Sequence, residues 1–203
     1  MMKLLSLVSV LALAGACGKK DEAAGGGTAK TAEPAAAAPK AAPITINEAD
    51  WVVKNLHDTS PMVNVSMKVP KDAKLEKNGN GGVDITIAPA YQLTVSAIMV
   101  SSIDEAKKSD KSLSIESSSY QNGKTVLDEP NGFIGTEQMK TEANGHTYEP
   151  ETHFYYYLGT KDGAFFSVND ARPLSNFDAP GSTYSEALAK QVYGIVKGSL
   201  KAN

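Results

Sequence analysis

Between Gly18 and Pro43 the chain offers almost nothing that a core could use, and this limits where folding can begin. The stretch is built of Ala, Gly, Pro, Lys, Thr and Glu with a single Asp, and it includes Gly25-Gly26-Gly27 and the block Ala35 to Ala38. Such side chains bury too little apolar surface to offset the entropy of ordering the chain. Pro34, Pro39 and Pro43 also keep the alanine block too short for a helix that is stable alone. Residues 17–43 therefore read as a disordered tether, with an average reach of about 28 Å and a maximum of roughly 85 Å. Hydrophobic patterning starts at Ile44 and continues to Asn203, and the roughly 160 residues of 44–203 suffice for a single domain with its own core.

Ahead of the tether, Lys3 supplies a positive start and Leu4 to Ala16 form an apolar run interrupted by Ser6 and Ser9, after which Gly18-Lys19-Lys20-Asp21-Glu22 is polar. That order predicts a signal peptide over residues 1–16. The run is well short of the roughly 20 residues a spanning helix needs. Leu13-Ala14-Gly15-Ala16-Cys17 resembles the lipobox of bacterial lipoproteins, although the leucine stands one place earlier than that pattern has it. The resemblance implies that Cys17 becomes the first mature residue and carries fatty acyl chains of the palmitate class, a covalent lipid and no other cofactor. Ala14-Gly15-Ala16 also fits ordinary signal cleavage, which would leave a free Cys17. Cys17 is the only cysteine, so no intrachain disulfide can staple the fold. An exported chain either uses such a thiol covalently or leaves it reactive. Gly18, rather than Asp, after the cysteine favours the periplasmic face of the outer membrane over inner-membrane retention.

Net charge separates tail from body. Residues 1–43 hold five lysines (Lys3, Lys19, Lys20, Lys30, Lys40) against Asp21, Glu22 and Glu33, a balance of +2; the whole chain carries -3, so residues 44–203 carry -5. A mildly acidic body argues against nucleic acid as a partner. The membrane, reached through the lipid, and an envelope protein or small ligand remain.

Alternation predicts strands around Val63, Val65, Met67 and Val69; around Val83, Ile85 and Ile87; and around Leu93, Val95, Ala97 and Met99, read together as an antiparallel meander. Further strands fall at Thr125 to Asp128 and Phe133 to Lys140, flanking the turn Glu129-Pro130-Asn131-Gly132. A hairpin follows from Thr152 to Leu158 and Ala164 to Val168, across Gly159 to Gly163. Ile46 to His57 reads as a short opening helix capped by Asn47. Ser102-Ile103-Asp104-Glu105 opens a polar helix to about Ser109, and Thr183-Tyr184-Ser185-Glu186 opens a long terminal helix. In that helix Leu188, Val192, Ile195, Val196, Ser199 and Leu200 make one stripe, and close approach to a sheet would account for Gly194 and Gly198. The fold class is α+β, a mostly antiparallel sheet packed with helices.

This order of elements, with a strand closing on Met67-Lys68-Val69-Pro70 and a last helix ending Ile195-Val196-Lys197-Gly198-Ser199-Leu200-Lys201, resembles the PsbP/Mog1 family over roughly Ser60 to Lys201. The resemblance implies an α/β/α sandwich acting as a binding or assembly module. None of that family's functional residues has a match here.

Catalytic motifs fail on spacing. Gly123-Lys124-Thr125 lacks the first glycine of a phosphate loop, Gly79-Asn80-Gly81 lacks the last glycine of a dinucleotide fingerprint, and neither G-x-S-x-G nor H-E-x-x-H occurs. The chain reads as a non-catalytic binding protein; a hydrolase without a readable motif is the third alternative. The second is metal binding or delivery through His146, Glu149, Glu151 and His153 in "HTYEPETH", since imidazole with carboxylate suits zinc or copper. A solvated loop is the simpler reading of that stretch. In "THFYYYL", Phe154, Tyr156 and Leu158 are assigned to the core, which leaves His153, Tyr155 and Tyr157 as a candidate binding face. If helices cover both sheet faces, all six are structural.

Overall fold

Val63, Val65, Met67 and Val69 are fully buried, and their alternation with polar neighbours builds β2 (Val65–Pro70). In a computed structural model the residues described are 44–143, 145–171 and 183–203. The expected signal peptide, Cys17 and the expected tether lie outside them. The elements run β1 (Trp51–Asn55), β2, β3 (Lys74–Lys77), β4 (Val83–Ala88), β5 (Tyr91–Ile98), α1 (Ile103–Leu113), β6 (Tyr120–Glu129), β7 (Gly132–Met139), β8 (Glu151–Gly159), β9 (Phe165–Ala171), α2 (Glu186–Ser199) and β10 (Lys201–Ala202). Seven strands form one sheet in the order β3-β4-β5-β9-β8-β7-β6, and β1-β2-β10 form a second. Every pairing among them is antiparallel. The fold is α+β, as alternation and capping signals indicate.

Both faces of the large sheet are covered. On one, β2 and α2 pack against β4, β5, β8 and β9, so that Met67, Ile85, Leu93, Phe154, Val192 and Val196 share one core. On the other, α1 lies over Phe133 and Tyr157 through Ala106. The terminal stripe behaves as its spacing requires, with Leu188, Val192, Ile195, Val196 and Leu200 all buried.

Several local expectations are corrected. The opening segment is not a helix: Asn47 caps only a single 3-10 turn, Glu48–Asp50, and Trp51-Val52-Val53 then pair with β2. Aromatic and β-branched residues suit a pleated strand, and the pairing outweighs the cap. The first predicted strand leaves the meander, because β2 pairs with β1 and β10 while β3, β4 and β5 stay together. Ala97 and Met99 are exposed, and it is Ile98 and Val100 that pack beneath α1. Helix α1 runs four residues past Ser109, and α2 is capped by Ser185 rather than Thr183, the Leu188 N–H donating to Ser185 Oγ at 3.3 Å. Gly194 and Gly198 do not approach a sheet; both face solvent, with open space where a Cβ would stand.

Candidate functional site

The polar centre of the domain forms where a strand ladder stops. β9 pairs with β5 as far as Gln92↔Ala171, but with β8 only as far as Tyr155↔Asn169. Just past that point the Asp170 side chain replaces the missing ladder acceptor: the Phe154 N–H donates to Oδ1 at 2.9 Å, and the Tyr91 hydroxyl donates to Oδ2 at 3.2 Å. His153 Nδ1 lies 3.2 Å from the same Oδ1, and its Nε2 lies 3.3 Å from Glu151 Oε2. The imidazole packs against Tyr184 with ring centroids 4.7 Å apart. Tyr184 in turn accepts the Thr152 N–H on its carbonyl at 2.8 Å. β7 brings Glu137 opposite Glu151 and Gly135 opposite His153. Three carboxylates and one imidazole thus meet at the junction of β7, β8, β9 and the lead into α2.

A neutral imidazole has one donor nitrogen and one acceptor nitrogen, so a ring with a carboxylate at each nitrogen is satisfied only as imidazolium. Burial works against that charge, and the carboxylates of Asp170 and Glu137 outweigh it, holding the His153 pKa above its ordinary value. Burial also pushes the Glu137 carboxyl above the usual carboxylate range; His153 pulls it down and Asp170 pushes it up. Glu137 Oε2 is buried and has no hydrogen-bond partner among the described residues. The Tyr91 hydroxyl is held well above its ordinary pKa by burial and by Asp170.

The expected binding face is corrected by what covers it. Tyr157 is fully buried and donates its hydroxyl to Asp110 Oδ2 of α1 at 2.5 Å. Tyr155 is half-buried and stacks on Phe133 at 4.6 Å, while Lys111 of α1 stands over Phe133. His153 is buried in the acid cluster. The reason is parity: Phe154 and Tyr156 do face the main core as assigned, and the opposite row falls under the second helix. The candidate metal set is not assembled either. His146 sits edge-on to Tyr148, and both it and Glu149 are exposed, whereas Glu151 and His153 join Asp170 instead. Among the described residues no three His, Cys, Asp or Glu side chains are placed to hold a metal ion.

Sequence reasoning missed Asp170 and Glu137, although one signal was available. Phe166, Val168 and Asp170 share the parity of a core-facing row, so a carboxylate occupies a position that alternation assigns to the interior.

A separate surface feature lies along β1, which is an edge strand of the small sheet. Val52 is 39% and Val53 65% exposed, and beside them an open groove of about 500 Å³ is lined by Val53, Asn55, Asp58, Ala73 and Leu75 among others. Lys54 Nζ bridges to the carbonyl of Lys71 at 3.0 Å, tying this edge to the β2–β3 link.

These features define an α+β sandwich with a buried acid–histidine junction and, among the described residues, an exposed apolar edge at β1. No family model matches the chain. No curated protein matches it. Among solved structures it is similar to the Ran-binding protein Mog1p of Saccharomyces cerevisiae, at 10% sequence identity and a TM-score of 0.49, over 75% of this chain and 95% of that one.

Proposed function

We propose that the chain is a lipid-anchored protein of the bacterial cell envelope, facing the periplasm from the outer membrane, whose folded domain binds a protein partner without catalysis. The observation that carries this reading is the placement of the only cysteine directly after Leu13-Ala14-Gly15-Ala16, with a core-less stretch behind it and the patterned domain beyond. Several buried acyl chains, at about 0.8 kcal/mol per methylene, would make such an anchor durable. The non-catalytic part is supported by how His153, Asp170 and Glu151 are used: they join β8, β9 and the lead into α2. We assign partner contact to the free edge of β1, where an extended segment can add as a further strand. Edge strands are usually guarded by charge, as Lys74, Glu76 and Lys77 guard β3, whereas Val52 and Val53 leave β1 apolar and open.

Membrane partition and intact mass test the anchor. Wild type is expected in the membrane fraction with an acylated N-terminal Cys17, and Cys17→Ser is expected to lose the lipid. An unmodified cysteine on the mature chain would sink the proposal. For the contact surface, a photo-crosslinking residue at Val53 should yield a discrete adduct in cells that one at Met99, which is more exposed but lies away from the edge, does not; equal labelling at both would remove β1 from consideration.

A further inference from the structure

We propose that Glu137 and His153 form a proton-binding site that holds the β7–β8–β9 end of the sheet together when occupied and loosens it when emptied. Three observations lead there. First, the two nitrogens of His153 lie 3.2 Å from Asp170 Oδ1 and 3.3 Å from Glu151 Oε2, an arrangement that needs a proton on each nitrogen. Second, Glu137 is 9% exposed and its Oε2 meets no hydrogen-bond partner among the described residues, so burial of the charge outweighs the support that His153 and a Tyr120 hydrogen bond give the carboxylate, and a proton is held more tightly there than on an exposed glutamate. Third, the space over Gly135, the residue opposite His153, is already filled: a Cβ there would meet the Ile115 side chain. A proton is the ligand that needs no volume.

The groups that face the site come from each described element packed against it. Among the described residues they are Glu151 and Tyr155 of β8, Glu137 of β7, Asp170 of β9, Tyr91 of β5, Tyr120 at the start of β6, and Tyr184 ahead of α2. Losing the His153 proton would set a neutral ring between two carboxylates, with Glu137 adding a third negative charge. The contacts at stake are those that replace the ended ladder: the Phe154 N–H on Asp170, and Tyr184 against the imidazole.

The sign is the same for both groups. The folded pKa of His153 stands above its ordinary 6.5 and that of Glu137 above 4.5. Each contributes stability that is complete below its unfolded pKa and is lost as pH rises through its folded value. Folding therefore takes up protons from about pH 5 upward, and the junction weakens towards alkaline pH.

The test is an NMR titration of His153 in the full chain, read beside the exchange protection of the Phe154 amide between pH 5.5 and 8.5. The expected result is a His153 pKa above 6.5, lowered in Glu137→Gln. Phe154 protection should fall about tenfold for each unit by which the folded pKa exceeds the unfolded one. Glu137→Gln should also flatten the pH dependence of the denaturant midpoint. A His153 pKa at or below 6.5, one unmoved by Glu137→Gln, or Phe154 protection that is constant with pH would overturn the proposal. Asp170→Asn may be used only where it remains folded; Glu137→Gln, which keeps the side-chain shape, decides the matter without it.

Discussion

At Gly123 a side chain is excluded by a neighbour distant in sequence. A Cβ there would run into the backbone carbonyl of Ile115, which cannot swing aside as a long side chain would. Asn122, next to it, has φ +57°, and the β6–β7 register shifts between Gln121 and Lys124. A bulge thus lets the strand pass close beneath the segment that leaves α1. Gly123→Ala is expected to cost about 1–3 kcal/mol or more, read as a lower urea midpoint; an unchanged midpoint would mean that the close approach does not persist in solution. Gly123 is visible in the sequence only as part of a failed phosphate-loop motif. Its actual constraint is steric and comes from Ile115, which no local pattern announces.

Among the elements, α2 shows most clearly how a correct pattern can be given a wrong reason. Its apolar stripe is buried as the 3.6-residue period demands. The two glycines, however, fall on the solvent side, where nothing stands near a Cβ. Gly194→Ala and Gly198→Ala should therefore each stabilise the domain, by up to about 1 kcal/mol from helix propensity, with additivity expected because the positions share no partner. Calorimetry would show the midpoint rising in each variant; a fall in either would reveal a contact on that face. The cap is a further test at the same scale. Ser185→Ala should cost about 1 kcal/mol through the lost Leu188 N–H acceptor. An unaffected midpoint would place the helix start elsewhere.

For the whole molecule, the two-sided cover of the large sheet predicts that residues 44–203 fold cooperatively without residues 1–43 and without metal. Calorimetry on this fragment should give one transition at the temperature of the full chain, unmoved by a chelator; a broad or chelator-sensitive transition would show that something outside the domain supports it. How far such behaviour can be read from sequence depends on the range of the interactions involved. Period-2 alternation at Val63 to Val69 and the spaced stripe from Leu188 to Leu200 identify a strand and a helix because backbone geometry alone decides which side chains share a face. The turns at Gly79 to Gly82 and Gly159 to Gly163 are equally local, with Gly81 and Gly163 at positive φ. Which strands pair is not local, and so alternation groups β2 with β4 and β5 although it pairs with β1 and β10. Whether a face is covered is not local either: "THFYYYL" specifies two rows, but only the docking of α1 turns Tyr155 and Tyr157 from a presented surface into a packed one. The acid–histidine junction required the same long-range closure. Asp170 meets Tyr91 across 79 residues of sequence, and such a contact exists only once the ladder between β8 and β9 has stopped and left a buried amide in need of an acceptor.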